Sequence, residues 1–139
     1  LENKGNSGLF IWCGAEPHPG ARSPIAVEVQ ILTGYRSPSV TSHGDILPIN
    51  GAFMVPDRPP PAGGMRCLPS EHRCHPAGQW NNYRLSCTDG RIKLAVNGKE
   101  VSGGSQALPR SGYIGLQSQG SSVEFRNIRL RESPPGKSN

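Results

Sequence analysis

The stretch "WNNYRLSCTDGRIKLAVNGKEVSG", residues 80–103, sets two short polar turns between runs of alternating residues. Its dipeptides Asp89-Gly90 and Asn97-Gly98 tolerate the positive φ angles that tight hairpin turns require. The stretch therefore predicts three antiparallel strands joined by two hairpin turns.

Strand patterns continue on both sides of this stretch. In "AVEVQIL", residues 26–32, the apolar Val27 and Val29 alternate with Glu28 and Gln30, which is the period of a half-buried strand. No long amphipathic helix pattern is present. The strands predicted in this way are residues 9–13, 27–32, 83–88, 91–96, 99–102, 112–117 and 122–130. Short strands with polar turns and almost no helix indicate an all-β antiparallel sandwich of the jelly-roll type.

The 139 residues are enough for one domain, which we place at residues 1–132. A Pro- and Gly-rich stretch at 53–79 predicts a long loop, and loops of that length are usually functional or mobile. The end of the chain, 133–139, has the composition of a disordered tail.

The composition excludes two classes of partner. The 15 Lys and Arg residues give a net charge of +5, but they are scattered rather than interleaved with aromatic residues as a nucleic-acid surface requires. No apolar run approaches the roughly 20 residues that span a bilayer. We therefore expect neither a nucleic-acid partner nor a membrane span, and no signal peptide is recognisable in this chain.

The cysteines leave alternatives open. Cys67 and Cys74 bracket six residues within the predicted loop, and a disulfide there would close a small ring in an exported protein. His72 and His75 lie beside them, but the spacing differs from the C-x2-4-C pairs of structural zinc sites. Cys13 and Cys87 lie in apolar strand patterns, which is typical of buried free thiols.

Five blocks follow one another along the chain. They are "GNSGLFIW", "AVEVQIL", "HGDILPINGA", "PAGQWNNYRLSCTDGRIKLAVNGKEVSG" and "GYIGLQSQGSSVEFRNIRLRE". In this order they resemble the 3-keto-disaccharide hydrolase domain family, and the resemblance runs from about Gly5 to Glu132. The resemblance implies a concanavalin A-like lectin/glucanase sandwich, a secreted or periplasmic location and a carbohydrate ligand.

Relatives usually carry further strands ahead of the "GNSG" block. We therefore expect an N-terminally incomplete sandwich with an open strand edge, which invites an oligomer or a companion chain.

The candidate site centres on Glu28, His43 and Asp45. The alternation of residues 27–31 turns Glu28 away from the core, and His43 and Asp45 stand two positions apart in "HGD". These three are the candidate catalytic residues, and they are also the ligands of a divalent metal if the protein uses one. The alternative for "HGD" is a polar turn, in which Asp45 caps neighbouring amides.

The candidate substrate-binding residues carry amide or guanidinium groups. They are Asn6, Gln30, Asn50, Gln119 and Arg126. Two of these residues depart from the pattern of the family that the chain resembles. A His is frequent where this chain has Asn50, and an acidic residue or a His is frequent where it has Gln119. For Arg126, the alternative is an ion pair with Glu124 on the same strand face.

The resemblance implies cleavage of glycosides already oxidised at C3. A ketone at C3 acidifies the hydrogen on C2, so a base such as His43 or Glu28 can remove that proton and the C1 substituent can then leave. Conventional glycoside hydrolysis needs two carboxylates across the bond, and the chain has no E-x-D-x-E strand to supply them. The alternative function is a non-catalytic carbohydrate-binding or surface-interaction module of the same fold.

Overall fold

The computed structural model describes residues 5–33 and 43–132 and contains, within them, strands and no helix. Sheet A has the strand order β3-β2-β1-β8, and sheet B has the order β4-β7-β6-β5. All neighbouring strands are antiparallel. The strands are β1 (Asn6–Cys13), β2 (Ala26–Leu32), β3 (Ile46–Ile49), β4 (Phe53–Pro56), β5 (Tyr83–Thr88), β6 (Arg91–Val96), β7 (Lys99–Leu108) and β8 (Tyr113–Gln119). The predicted all-β sandwich is confirmed.

The core lies between the two sheets and follows the alternation read from the sequence. Val27 and Val29 of β2 are fully buried against residues of β6 such as Ile92 and Leu94. Burying one such side chain contributes about 1.5–3 kcal/mol, so these pairs hold the sheets face to face. Their polar neighbours on β2 consequently point to the other side of sheet A, which we call the outer face.

Both predicted hairpin turns are present. Asp89 and Gly90 have φ angles of 48° and 75°, and Asn97 and Gly98 have 48° and 86°. A third such turn, Asn50-Gly51, joins β3 to β4. The sequence did not predict this turn, because the strands on either side have only four residues each.

The predicted loop at 53–79 needs correction at its start. Residues 53–56 form β4, which pairs with β7, and Cys67 makes an isolated bridge to Ile46 at the free edge of β3. The hydrogen bonds Ile46 N to Cys67 O (3.1 Å) and Cys67 N to Ile46 O (2.8 Å) attach the loop to sheet A. Apart from this bridge, residues 57–82 form no further strand.

The strand predicted at 122–130 is wrong. The segment is described, but it belongs to neither sheet. Ile128 and Leu130 are 65% and 74% exposed, and Asn127 has a φ of 54°. Alternating residues form a strand only where a neighbour supplies hydrogen bonds, and no described strand lies beside this one. The tail predicted at 133–139 falls outside the described residues.

The disulfide expected between Cys67 and Cys74 is not formed, and all four cysteines are free. Cys67 is fully buried, and its Sγ accepts a hydrogen bond from the backbone N–H of Gly103 at 3.5 Å. Cys74 is half-buried. The bridge of Cys67 to β3 turns its thiol into the core, which explains why proximity in sequence did not produce a disulfide.

The "HGD" segment enters β3 through a β-bulge. The Gly44 N–H donates to the Gln30 carbonyl at 3.0 Å, and the Gln30 N–H donates to the Asp45 carbonyl at 2.9 Å. Gly44 and Asp45 on one strand therefore both lie opposite Gln30 on the other. Gly44 has a φ of +92°, as expected for the first residue of a G1 bulge. Glycine is required here because other residues are strained at that φ.

Residues 5–33 and 43–132 include no helix long and apolar enough to cross a membrane.

The contacts of β3 with β4 and β7 close one side of the sandwich, and on the other side sheet A ends at β8 and sheet B ends at β5. On β8, Tyr113, Ile114 and Leu116 are about half exposed or more. Unpaired edges of this kind favour association with another strand.

We expect Gly44→Ala to lower the free energy of unfolding by about 1–2 kcal/mol, because the new residue would be held at a positive φ. The space itself is adequate, since an added Cβ would meet Val96, Pro69 and Val101 at 3.7–3.8 Å. Urea unfolding measures the change. Gly14→Ala is the matched control, because its added Cβ also meets ordinary contacts and its φ is not positive. Equal stability of the two variants would contradict the bulge assignment.

We also expect the protein to associate through the β8 edge. Light scattering should give a mass above 14.9 kDa that rises with concentration, and Leu116→Lys should return it toward 14.9 kDa because a charge there opposes strand pairing. Val55→Lys, an exposed apolar position on β4, is the control. A wild-type mass of 14.9 kDa at high concentration would refute this expectation.

Candidate functional site

The outer face of sheet A is organised in rows that cross the strands. One row joins Glu28 to Leu47 on β3 and, through Phe10, to Gly115 on β8. Because the strands are antiparallel and in register, side chains of one row lie about 5 Å from their neighbours. The adjacent row brings Gln30 and Gln117 to either side of Gly8.

Glu28 is the titratable group at the centre of this face. Its side chain is buried, with 7% of the residue exposed, and desolvation raises the pKa of its carboxyl from 4.5 to about 7. No hydrogen bond or ion pair joins the carboxyl to another described residue, so nothing offsets the burial. A carboxyl with this pKa exchanges its proton readily near neutral pH.

Gly8 provides the space for Glu28. A Cβ atom on residue 8 would lie 2.5 Å from Glu28 Oε1 and 3.1 Å from its Cγ. The Glu28 side chain therefore lies directly across the β1 backbone at Gly8. Any side chain at position 8 would displace the carboxyl.

Three of the predicted substrate-binding residues form one chain of amide hydrogen bonds. Gln30 Nε2 donates to Asn6 Oδ1 at 2.6 Å, and Asn6 Nδ2 donates to Gln119 Oε1 at 3.0 Å. Gln30 Nε2 also donates to the Ser7 carbonyl at 3.2 Å. The chain fixes the orientation of each amide across β2, β1 and β8, one row or two from Glu28.

Asp45 lies on the same face but at its β3 edge. It follows Gly44 in the bulge, opposite Gln30, and precedes the core residue Ile46. Its carboxylate is fully buried, and Arg66 Nε lies 3.6 Å from Oδ2. The Arg66 guanidinium thus lies against the Asp45 carboxylate at the β3 edge of the face.

His43 is turned the other way, toward sheet B. Its Nδ1 makes a short hydrogen bond with the hydroxyl of Tyr83 on β5, and the two rings lie 5.4 Å apart between centroids. Burial, with a smaller contribution from His72, lowers the pKa of His43 from 6.5 to about 4. His43 is therefore neutral at pH 7.

The bulge explains this separation of His43 from Asp45. In a regular strand, residues two apart share a face, which is why "HGD" suggested a convergent pair. The extra residue at Gly44 shifts the alternation by one position. The structure thus brings Asp45, and not His43, to the face that carries Glu28.

Two predicted substrate-binding residues lie elsewhere. Asn50 occupies the β3–β4 turn, where its Nδ2 donates to the carbonyls of Ser23 and Pro24 at 2.8 Å and 3.0 Å. That amide holds the loop between β1 and β2 and so has a structural role. Arg126 lies in the strandless segment, with its guanidinium carbon 3.8 Å from the centroid of the Trp80 ring. Arg126 stacks on Trp80 instead of pairing with Glu124.

Three residues of this site were not predicted from the sequence. Gln117 lies beside Gly8, Arg66 pairs with Asp45, and Tyr83 holds His43. The alternation of "GLQSQG" could have revealed Gln117, since it stands two positions before Gln119 and shares its face. No sequence signal marks Arg66 or Tyr83.

The residues do not fit a divalent metal. In the described part of the chain, no three His, Cys, Asp or Glu side chains lie close enough together to hold a metal ion. His43 faces the opposite side of sheet A, and Asp45 is paired with Arg66. The set Glu28, His43 and Asp45 is thus not a metal centre.

The two buried titratable groups should give opposite dependences of stability on pH. The folded pKa of Glu28 is raised to about 7, so its contribution to stability is complete below pH 4.5 and is lost as pH rises through 7. The folded pKa of His43 is lowered to about 4, so its contribution is complete above pH 6.5 and is lost as pH falls through 4.

Glu28→Gln and His43→Gln separate these contributions. Relative to the wild type, Glu28→Gln should lose stability as pH falls from 7 to 4.5, and His43→Gln should gain stability as pH falls from 6.5 to 4. Each difference should reach about 3 kcal/mol, at 1.36 kcal/mol for each pKa unit. Urea unfolding at a series of pH values tests this, and parallel curves for all three proteins would contradict it.

One comparison with known proteins identifies a family for this chain. The family model of the 3-keto-alpha-glucoside-1,2-lyase-like domain matches residues 1–131. No curated protein and no solved structure matches the chain significantly. The match spans nearly the whole chain and every residue of the outer face. The chain belongs to the 3-keto-alpha-glucoside-1,2-lyase-like domain family.

Proposed function

We propose that the protein cleaves 3-keto glycosides and that Glu28 is the general base. The observation that carries this proposal is the Glu28 carboxyl, which is buried on the outer face without a partner among the described residues and has a pKa of about 7. A general base is most effective when its pKa is close to the working pH. The family membership supplies the substrate class.

The proposed reaction is an elimination that the ketone makes possible. The ionised Glu28 carboxylate takes the proton from C2, and the electron pair of that bond forms an enolate with the C3 carbonyl. The enolate then collapses to a C1–C2 double bond while the bond from C1 to the leaving oxygen breaks. The leaving oxygen takes the electron pair and a proton, and water can afterwards add across the double bond.

The amide chain supplies donors for this reaction. Each amide NH₂ carries two hydrogens, and Asn6 Nδ2 uses one of them on Gln119. Its second hydrogen is available to a ligand oxygen, and the amide is already oriented by Gln30. Donors fixed in advance stabilise a developing negative charge more than donors that must reorganise.

His43 has a structural role in this proposal. Its neutral ring bonds Tyr83, whose hydroxyl also lies 3.4 Å from the Gln30 carbonyl. Its pKa of about 4 and its orientation toward sheet B make it a poor base for a ligand on the outer face.

The second candidate function is a non-catalytic carbohydrate-binding module. The chain from Gln30 through Asn6 to Gln119 favours it, because oriented amides recognise sugar hydroxyls without any titratable group. The two functions differ in whether Glu28 performs chemistry.

Replacement of the proposed base is the direct test. Glu28→Gln should lower kcat/KM for a 3-keto glucoside by roughly 10²–10⁴-fold, the usual contribution of a general base, with little change in substrate binding. In the wild type, kcat/KM should rise with pH to a plateau with a midpoint near 7, because the base must be ionised. Release of the leaving group measures activity, and calorimetry measures binding.

His43→Gln is the matched control, since it removes a titratable group of the opposite side of sheet A. The folded molecules of this variant should keep most of the wild-type kcat/KM. The pH dependence of kcat/KM should have the same midpoint as in the wild type. Loss of turnover in His43→Gln but not in Glu28→Gln would make His43 the general base and Glu28 the structural residue. A wild type that binds the sugar and never releases the leaving group would leave the binding module as the function.

A further inference from the structure

Two acceptor oxygens converge above Gly8. The position that a Cβ atom would take on residue 8 lies 2.5 Å from Glu28 Oε1 and 3.2 Å from Gln117 Oε1. The oxygens come from β2 and β8, on opposite sides of β1, and both point at the same place on the outer face. No side chain stands between them, because residue 8 is glycine.

Neither oxygen has a donor within the described residues. Gln117 Oε1 is buried and without a hydrogen-bond partner there, and the Glu28 carboxyl likewise makes no hydrogen bond. Buried polar atoms of folded proteins nearly always have a partner, so the unpartnered Gln117 Oε1 marks a place for a donor, and the Glu28 carboxyl lies beside that place.

The position of Gln117 is fixed by the backbone. Its carbonyl accepts a hydrogen bond from the fully buried Ser7 Oγ at 2.6 Å, and its Cα is in register with Gly8. The neighbouring Gln119 differs, because its Oε1 already accepts from Asn6. Of these two glutamines on one face of β8, Gln117 has its acceptor oxygen unused by the described residues.

The missing donor has the properties of a hydroxyl. Calcium and magnesium ions take six or more oxygen ligands and zinc takes about four ligands, and the described residues offer no cluster of acidic, His or Cys side chains for any of them. A sugar hydroxyl needs one acceptor and is held well by a second group nearby. C2, the carbon from which the proposed base removes a proton, carries both a hydrogen and a hydroxyl.

We propose that Gln117 is a substrate-binding residue that accepts a hydrogen bond from the C2 hydroxyl while Glu28 takes the hydrogen of the same carbon. Gln117 thereby determines specificity for sugars that carry a hydroxyl at C2. This inference rests on the proposed function of Glu28.

The test compares two substrates in two proteins. The substrates are a 3-keto glucoside and its 2-deoxy counterpart with the same leaving group, and the variant is Gln117→Met, which keeps the length of the side chain without the acceptor. The variant should lose about tenfold or more in kcat/KM for the hydroxylated substrate and almost nothing for the 2-deoxy substrate. The ratio of the two losses cancels any difference in intrinsic reactivity.

Gln119→Met is the control on the same strand face and should change the activity toward both substrates alike. Gln117→Asn serves as a second variant if Gln117→Met does not fold, and it should show the same selective loss because its oxygen is withdrawn. An equal loss for both substrates in the Gln117 variants would overturn the inference and leave the base assignment intact.

Failure of the proposed function has a different signature. If the wild type turns over neither substrate, calorimetry with methyl glucoside and methyl 2-deoxyglucoside replaces the kinetic readout. Preference of the wild type for the hydroxylated sugar, lost in Gln117→Met, would then support Gln117 as a binding residue without catalysis. Equal affinity for the two sugars in the wild type would refute it.

Discussion

Two hydrogen bonds of one residue organise the outer face: the Gln30 carbonyl accepts from Gly44, and the Gln30 N–H donates to Asp45. Because two residues then oppose one, the alternation of side chains changes at Gly44. Asp45 joins the row of Gln30 and Gln117, whereas His43 turns to Tyr83 between the sheets. Without the bulge, His43 and Asp45 would lie on one face, and the carboxyl of Glu28 would have a different set of neighbours.

Burial acts on the two titratable groups in opposite directions, and this divides their roles. Removal from water disfavours the charged form, which is the deprotonated form of Glu28 and the protonated form of His43. The pKa of Glu28 consequently rises to about 7, and that of His43 falls to about 4. Only the first group changes its charge near neutral pH, so the same physical cause makes one residue a suitable base and the other an uncharged hydrogen-bonding group.

Local sequence patterns predicted most of the strands, but they could not predict features that depend on pairing between distant segments. The alternation around Val27 and the two hairpin dipeptides depend on neighbouring residues, so β2 and β5 to β7 could be predicted. The segment 122–130 has the same alternation but no described partner strand, and nothing in its own sequence reveals that. Gly44 is intermediate, because a glycine inside a strand pattern is a signal for a bulge.

The pairing of Asp45 with Arg66 bears on which chemistry this face can support. Conventional glycoside cleavage needs two carboxyl groups across the bond, one as acid and one as base or nucleophile. The carboxyl of Glu28 has a raised pKa, whereas the Asp45 carboxylate is fully buried and paired with the Arg66 guanidinium. Elimination next to a ketone needs one base, because the carbonyl makes the adjacent hydrogen acidic. A face with one carboxyl of raised pKa among oriented amides therefore supports the proposed elimination better than it supports hydrolysis of an unoxidised glycoside.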